Sequence, residues 1–156
     1  MTLAAVADAG PLIHLAEVDA IDLLSTFDTL LVPEQVYSEI ERGGVPDSLS
    51  GLSYDVVTAD SKEVAPDSLD PGERSALSVA SDRDVILLTD DLDAREQASD
   101  EGIEVHGSIG IIALGYTRDR LSQDDAASLM RALQEETSLF VTDAVVERGI
   151  RLLEES

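Results

Sequence analysis

Apolar positions along the chain alternate between short unbroken runs and stretches with helical spacing. Leu3-Ala4-Ala5-Val6-Ala7 is the first run, closed by Asp8, and it reads as a strand buried on both faces. Ala9-Gly10-Pro11 turns the chain, and Pro11 suits the first turn of a helix with Leu12, Leu15, Ala16 and Val18 on its apolar side. A short helix is expected over 20–27, burying Ile21, Leu23 and Leu24. Thr29-Leu30-Leu31-Val32 forms a second strand stopped by Pro33. Residues 35–42 then make a helix with Val36, Tyr37 and Ile40 on one side, ended by Gly43-Gly44. Residues 45–69 read as loop, marked by Pro46, Ser48, Ser50, Gly51 and Ser53, with a short edge strand at Tyr54-Asp55-Val56-Val57.

Asp70-Pro71-Gly72-Glu73 opens the next helix, in which Ala76, Leu77 and Ala80 recur at helical spacing. Asp84-Val85-Ile86-Leu87-Leu88-Thr89 is the most strand-like stretch of all, and Asp90-Asp91 follows it directly. A helix over 92–101, a last short strand over 103–106, an apolar helix from Gly107-Ser108, and helices over 122–136 and 142–155 complete the reading. The Ile109–Leu114 segment suits either the core or a dimer face. Strands alternating with helices imply an α/β fold with a parallel sheet covered on both faces. With no internal repeat, low-complexity tract or linker, residues 1–156 are expected to form a single domain.

Composition changes this picture in two respects. There are no cysteines, which excludes disulfides and thiolate metal sites and makes an intracellular, cytoplasmic location the default. The start, Met1 to Ala7, lacks the basic region of a signal peptide, and no apolar run approaches the roughly 18 residues needed to span a bilayer. Charge is the stronger signal: Asp and Glu total 33 against 10 Lys and Arg, a formal net charge of -23. Lys62 is the sole lysine. The acids are dispersed along a chain of ordinary apolar content, so they describe a solvated surface rather than a tail or a disordered segment. Such a surface repels itself at low salt and is screened at high salt, which points to a protein of a salt-loaded, halophile cytoplasm.

Against that acidic background, a few carboxylates have meaningful places. In open α/β sheets ligands bind beyond the carboxyl ends of the strands, where the strand order reverses. Asp8 closes the first strand, and Asp90-Asp91 closes the Val85–Leu88 strand. If these strands are neighbours, their acids converge, and Glu39 and Glu73 sit on helices that enter the same crevice. Carboxylates pressed together are tolerated when a divalent cation neutralises them, and Mg2+ or Mn2+ prefer such oxygen ligands. A cation held there can activate water for attack on a phosphodiester and stabilise the charge that develops.

Four blocks in order carry a family resemblance: Val6-Ala7-Asp8-Ala9-Gly10-Pro11-Leu12-Ile13-His14-Leu15, Leu31-Val32-Pro33-Glu34-Gln35-Val36-Tyr37-Ser38-Glu39-Ile40, Leu69-Asp70-Pro71-Gly72-Glu73-Arg74-Ser75-Ala76-Leu77, and Leu87-Leu88-Thr89-Asp90-Asp91 with Arg95 and then Val105-His106-Gly107-Ser108-Ile109-Gly110. Together they resemble PIN domains of the "predicted nucleic-acid-binding" branch, over residues 3 to about 155. The resemblance implies a PIN-like three-layer α/β/α fold with a central five-strand parallel sheet, Mg2+ or Mn2+ dependence and endoribonuclease activity. Many relatives are VapC-like toxins paired with an antitoxin protein, and relatives often form homodimers. On matching positions the family's acids are Asp8, Glu39, Glu73 and Asp91, with Asp90 an adjacent candidate ligand and Asp93 a distant one. The third acid departs from the pattern, since many such toxins carry Asp where this chain has Glu73.

Each of these acids also has a plainer reading. Asp8 could cap the Pro11 helix, Asp70 and Glu73 spell a capping box, and one of Asp90 and Asp91 is needed to cap the next helix. Glu39 could be a solvated helix residue. His14 and His106 read as packed or hydrogen-bonded histidines rather than ligands. Two other α/β classes fail on their own motifs. A receiver-type signalling domain needs an acidic pair after the first strand and a lysine after the last. A haloacid-dehalogenase-type phosphatase needs a second Asp where Gly10 stands. A non-catalytic PIN module that binds protein or RNA stays open as the alternative. Aromatic residues make up 3% of the chain, which offers no stacking platform for RNA.

Overall fold

The computed structural model describes residues 3–44, 47–58, 69–137, 139 and 141–155. Pro46 and Lys62, named above as loop residues, lie outside them. Five parallel strands, β1 (Ala4–Ala7), β2 (Thr29–Pro33), β3 (Asp55–Val57), β4 (Ile86–Leu88) and β5 (Val105–His106), form one sheet in the order β3-β2-β1-β4-β5. Parallel neighbours need long crossovers, and helices supply them: α1 (Ala9–Glu17), α2 (Glu34–Gly43), α3 (Pro71–Arg83) and α4 (Leu92–Asp100). Three more, α5 (Ser108–Thr117), α6 (Gln123–Glu136) and α7 (Asp143–Glu154), follow the last strand.

Alternation along the strands divides the core. Ala5 and Ala7 of β1, Leu30 and Val32 of β2 and Leu88 of β4 face the larger cluster, which holds Leu12, Leu15, Ile111, Ile112, Met130 and Leu153. Val6, Leu31 and Leu87 face the opposite side, against Ala76, Leu77 and Ala80 of α3 and Ala94 and Ala98 of α4. This is the three-layer α/β/α arrangement, and β1 is buried from both sides. Among the described residues no helix is long and apolar enough to cross a membrane.

The short helix expected over 20–27 is present as a 3-10 helix, Ile21–Thr26. Leu23 and Phe27 donate their N–H groups to carbonyls three residues back, and Ser25 Oγ also bonds the Asp22 carbonyl. The loop before β3 contains a second 3-10 turn, Asp47–Gly51, anchored by buried Leu49. Asp84 does not begin β4. It sits in the left-handed region at φ 53°, ending α3, a conformation Asp tolerates better than most residues. The core reading of α5 holds within the chain: Ile111 and Ile112 are fully buried and it packs on α6 and α7.

Candidate active site

The order of the strands reverses between β1 and β4, and a cavity of about 270 Å³ opens beyond their carboxyl ends. Asp8, Glu39, Asp70, Glu73, Asp90 and Asp91 line it, together with Ala9, Gly10, His14 and Leu139. All four carboxylates expected to converge therefore share one cavity. Asp93 does not reach it and lies exposed in the first turn of α4.

Asp8 is placed by the sheet itself. Its N–H donates to the Leu88 carbonyl at 2.9 Å, continuing the β1–β4 ladder past the strand end. One side-chain oxygen accepts from Ala9 N at 2.8 Å, capping α1, and the other accepts from Thr89 Oγ1 at 2.9 Å. Burial outweighs those bonds, and Asp70 and Glu39 add repulsion, so its pKa is pushed up to about 6.

Glu39 and Glu73 come from the two helices that flank the opening. Glu39 accepts from Gly72 N at 3.1 Å. A Cβ on Gly72 would lie 2.6 Å from the Glu39 carboxylate, so a side chain there would push that carboxylate aside. Partial burial and the neighbouring Asp70 raise the Glu39 pKa. Glu73 completes the capping box: it accepts from Asp70 N at 3.0 Å, while its own N–H donates to Asp70 at 2.8 Å. Even so, burial with repulsion from Asp70, Asp91 and Asp8 pushes Glu73 up to about 7. The capping role is thus real, and it leaves the carboxylate facing the cavity.

The adjacent acids after β4 divide two tasks. Asp91 caps α4, accepting from Ala94 N at 2.9 Å, and its own N–H reaches Thr89 Oγ1 at 3.2 Å. Asp90 turns to the N-terminus of α5. It accepts from Ser108 N and Ser108 Oγ, both at 2.6 Å, and lies 2.8 Å from His14 Nδ1. Burial alone would raise Asp90, but the bonds from His14 and Ser108 outweigh it and hold its pKa below the usual carboxylate range. His106, as expected, has a local partner, Glu104 at 2.9 Å.

Three contributors were not legible as site residues. Asp70 read only as a cap, yet it lines the cavity and raises three of its neighbours. Thr89 is fully buried and ties Asp8 to Asp91; a polar residue ending an apolar strand was the available signal. Ser108 left no such signal.

The carboxylate set suits a hard divalent cation: oxygen donors, crowded enough that burial and repulsion disfavour the ionisation of Asp8, Glu39 and Glu73. Among the described residues no three Asp, Glu or His side chains stand as a ready chelating group. The fit is one of donor chemistry and a shared cavity rather than of a preformed cage.

Comparison with known proteins bears on the same architecture. Residues 4–155 match a family model for the PIN domain, of the group designated DUF3368. The fold is similar to that of a PilT N-terminus domain protein, SSO1118, from the hyperthermophilic archaeon Sulfolobus solfataricus P2. That match has a TM-score of 0.61 and 19% identity, and covers 77% of this chain and 95% of that one. At that identity the likeness speaks for the fold alone. No curated protein matches the chain in sequence.

Proposed function

The chain belongs to the PIN domain family, and from that premise we propose that it is a Mg2+- or Mn2+-dependent endoribonuclease in which Asp8, Glu39, Glu73 and Asp91 hold the cation. PIN domains are generally nucleases. The observation that carries the reading is the crowding of these carboxylates, with Asp70, at the switch point of the sheet, with Asp8 pushed up to about 6 and Glu73 to about 7. A divalent cation bound there would relieve that repulsion and supply charge stabilisation worth several kcal/mol at a phosphodiester.

The chain's own groups have separable parts. Asp8 is fixed between Ala9 N and Thr89 Oγ1, so it presents a carboxylate in one orientation. Asp91 is held by its cap on α4, and Glu39 by Gly72 N. We assign Asp90 to positioning, because His14 and Ser108 occupy its oxygens. The resemblance stated above also supports an antitoxin protein and a second copy of the chain as partners. A small reading frame overlapping the gene's upstream end would favour the toxin reading.

The test is metal titration with cleavage of a single-stranded RNA at high salt. Mn2+ should bind and be required, and EDTA should abolish the cut. RNA or protein binding with no Mn2+ uptake would favour the non-catalytic module instead.

A further inference from the structure

Among the described residues, His14 is the one polar side chain lining the cavity that is not a carboxylate. It projects from α1, is 14% exposed, and its Nδ1 meets Asp90 Oδ2 at 2.8 Å. Asp90 is itself held by Ser108 N and Oγ at 2.6 Å. Gly107 makes room for this chain of contacts: a Cβ there would stand 2.9 Å from Asp90 Oδ1 and collide with Arg95. The ring is therefore set in place by three elements: α1, the β4–α4 turn and the start of α5.

Which nitrogen is free follows from hydrogen-bond chemistry. An ionised carboxylate only accepts, so the hydrogen of the neutral ring lies on Nδ1 and the lone pair on Nε2. Nε2 has no hydrogen-bond partner among the described residues. With its ring neutral, His14 gives the cavity one nitrogen acceptor beside a set of carboxylates. A sugar–phosphate backbone is nearly all acceptor as well. Its single donor is the ribose 2′-hydroxyl, which DNA lacks. The carboxylates can also accept, but a bound cation competes for their oxygens, whereas a hard cation has little preference for imidazole.

We propose that His14 Nε2 accepts a hydrogen bond from the 2′-hydroxyl of the bound nucleotide, making His14 a specificity-determining residue that selects RNA over DNA, with Asp90 and Ser108 positioning its ring. The inference rests on the nuclease reading only in taking the ligand to be a nucleic acid at this cavity.

The test measures binding, not cleavage. Fluorescence anisotropy with labelled single-stranded RNA and DNA of one sequence is run with Ca2+ in place of Mn2+, in about 1 M KCl to screen the acidic surface. Wild type should prefer RNA by about fivefold, the worth of one neutral hydrogen bond. His14→Asn keeps an N–H group near the Nδ1 position and removes Nε2, so it should bring the ratio to about one and leave DNA affinity unchanged. His14→Gln carries an amide toward the Nε2 position and should restore part of the preference. If His14→Asn keeps the wild-type ratio, or weakens RNA and DNA equally, the inference is overturned. Should both variants fail to fold, wild type decides alone: RNA with 2′-fluoro groups, which cannot donate, should bind like DNA, and binding like RNA would overturn the proposal. Failure to bind either polymer would also overturn it. Intact RNA preference without metal-dependent cleavage would sink the nuclease reading and leave this one standing. Cleavage without RNA preference would do the reverse.

Discussion

Asp8 and Asp90 follow neighbouring parallel strands, and both are nearly withdrawn from water, Asp8 being 5% exposed and the Asp90 side chain 8%. Their electrostatics nonetheless run in opposite directions. Asp90 collects donors from Ser108 N, Ser108 Oγ and His14 Nδ1, and stays ionised. Asp8 has one backbone and one hydroxyl donor and faces Asp70 and Glu39, and its pKa climbs to about 6. Burial is common to the two, so burial does not separate them. What separates them is whether the protein supplies the compensating hydrogens. A buried carboxylate with its donors in place is part of the scaffold. One left short of them beside other acids is where an external cation would bring the missing charge.

The sharpest way to break this comparison is Asp8→Asn. Asn caps a helix as well as Asp does, so α1 should survive. Relief of repulsion should leave the metal-free variant as stable as wild type or more so. Mn2+ affinity should fall, and RNA cleavage should drop at least about 100-fold, since the charge stabilisation at stake is several kcal/mol. Unchanged turnover would reduce Asp8 to a helix cap.

Salt tests whether the repulsion is confined to the cavity or spread over the whole surface. With a net charge of -23, the melting temperature should rise by on the order of 10 °C between dilute buffer and molar KCl, as screening removes a few kcal/mol of self-repulsion. A flat melting curve would remove the halophile reading and leave the cavity as the one strained region.

The pH dependence of the metal-free protein tests the crowding of Asp8 and Glu73. The pKa of Asp8 is about 6 when folded and near the ordinary 3.8 when unfolded. Between those values the folded state keeps a proton that the unfolded state has lost. The contribution of Asp8 to stability is therefore greatest below its unfolded pKa and is lost as pH rises through about 6, by about 3 kcal/mol in all. Glu73, at about 7, extends the decline in the same direction. Urea unfolding at pH 5 and pH 8 without metal should show the loss, and added Mn2+ should cancel it. Stability that climbs over this interval would contradict the crowding argument.

Asp90→Asn supplies the other half of the comparison. Removing the charge from an acceptor with three donors should cost about 2 kcal/mol, with Mn2+ affinity kept. A variant that stays stable but binds Mn2+ as poorly as Asp8→Asn would make Asp90 a ligand after all.

Much of this was written locally. Apolar runs marked β1, β2 and β4, because a strand covered on both faces must be apolar throughout. D-x-x-E at 70–73 announced its capping box, Asp8 announced itself as a cap at a strand-to-helix turn, and one of Asp90 and Asp91 was bound to cap the next helix. Asp8 and the Asp90-Asp91 pair could be named from the ends of β1 and β4 alone. The division of labour between Asp90 and Asp91 could not, because it depends on partners far off in the chain: His14 is 76 residues from Asp90, and Thr89 is 81 from Asp8. Nor could the raised pKa values of Asp8 and Glu73, which belong to the distances among acids on β1, α2, α3 and the β4–α4 turn. Local pattern determines which way a segment folds and which residue ends it. Whether a carboxylate there is satisfied or strained is a sum over neighbours, and only the packing of the sheet against its helices chooses them.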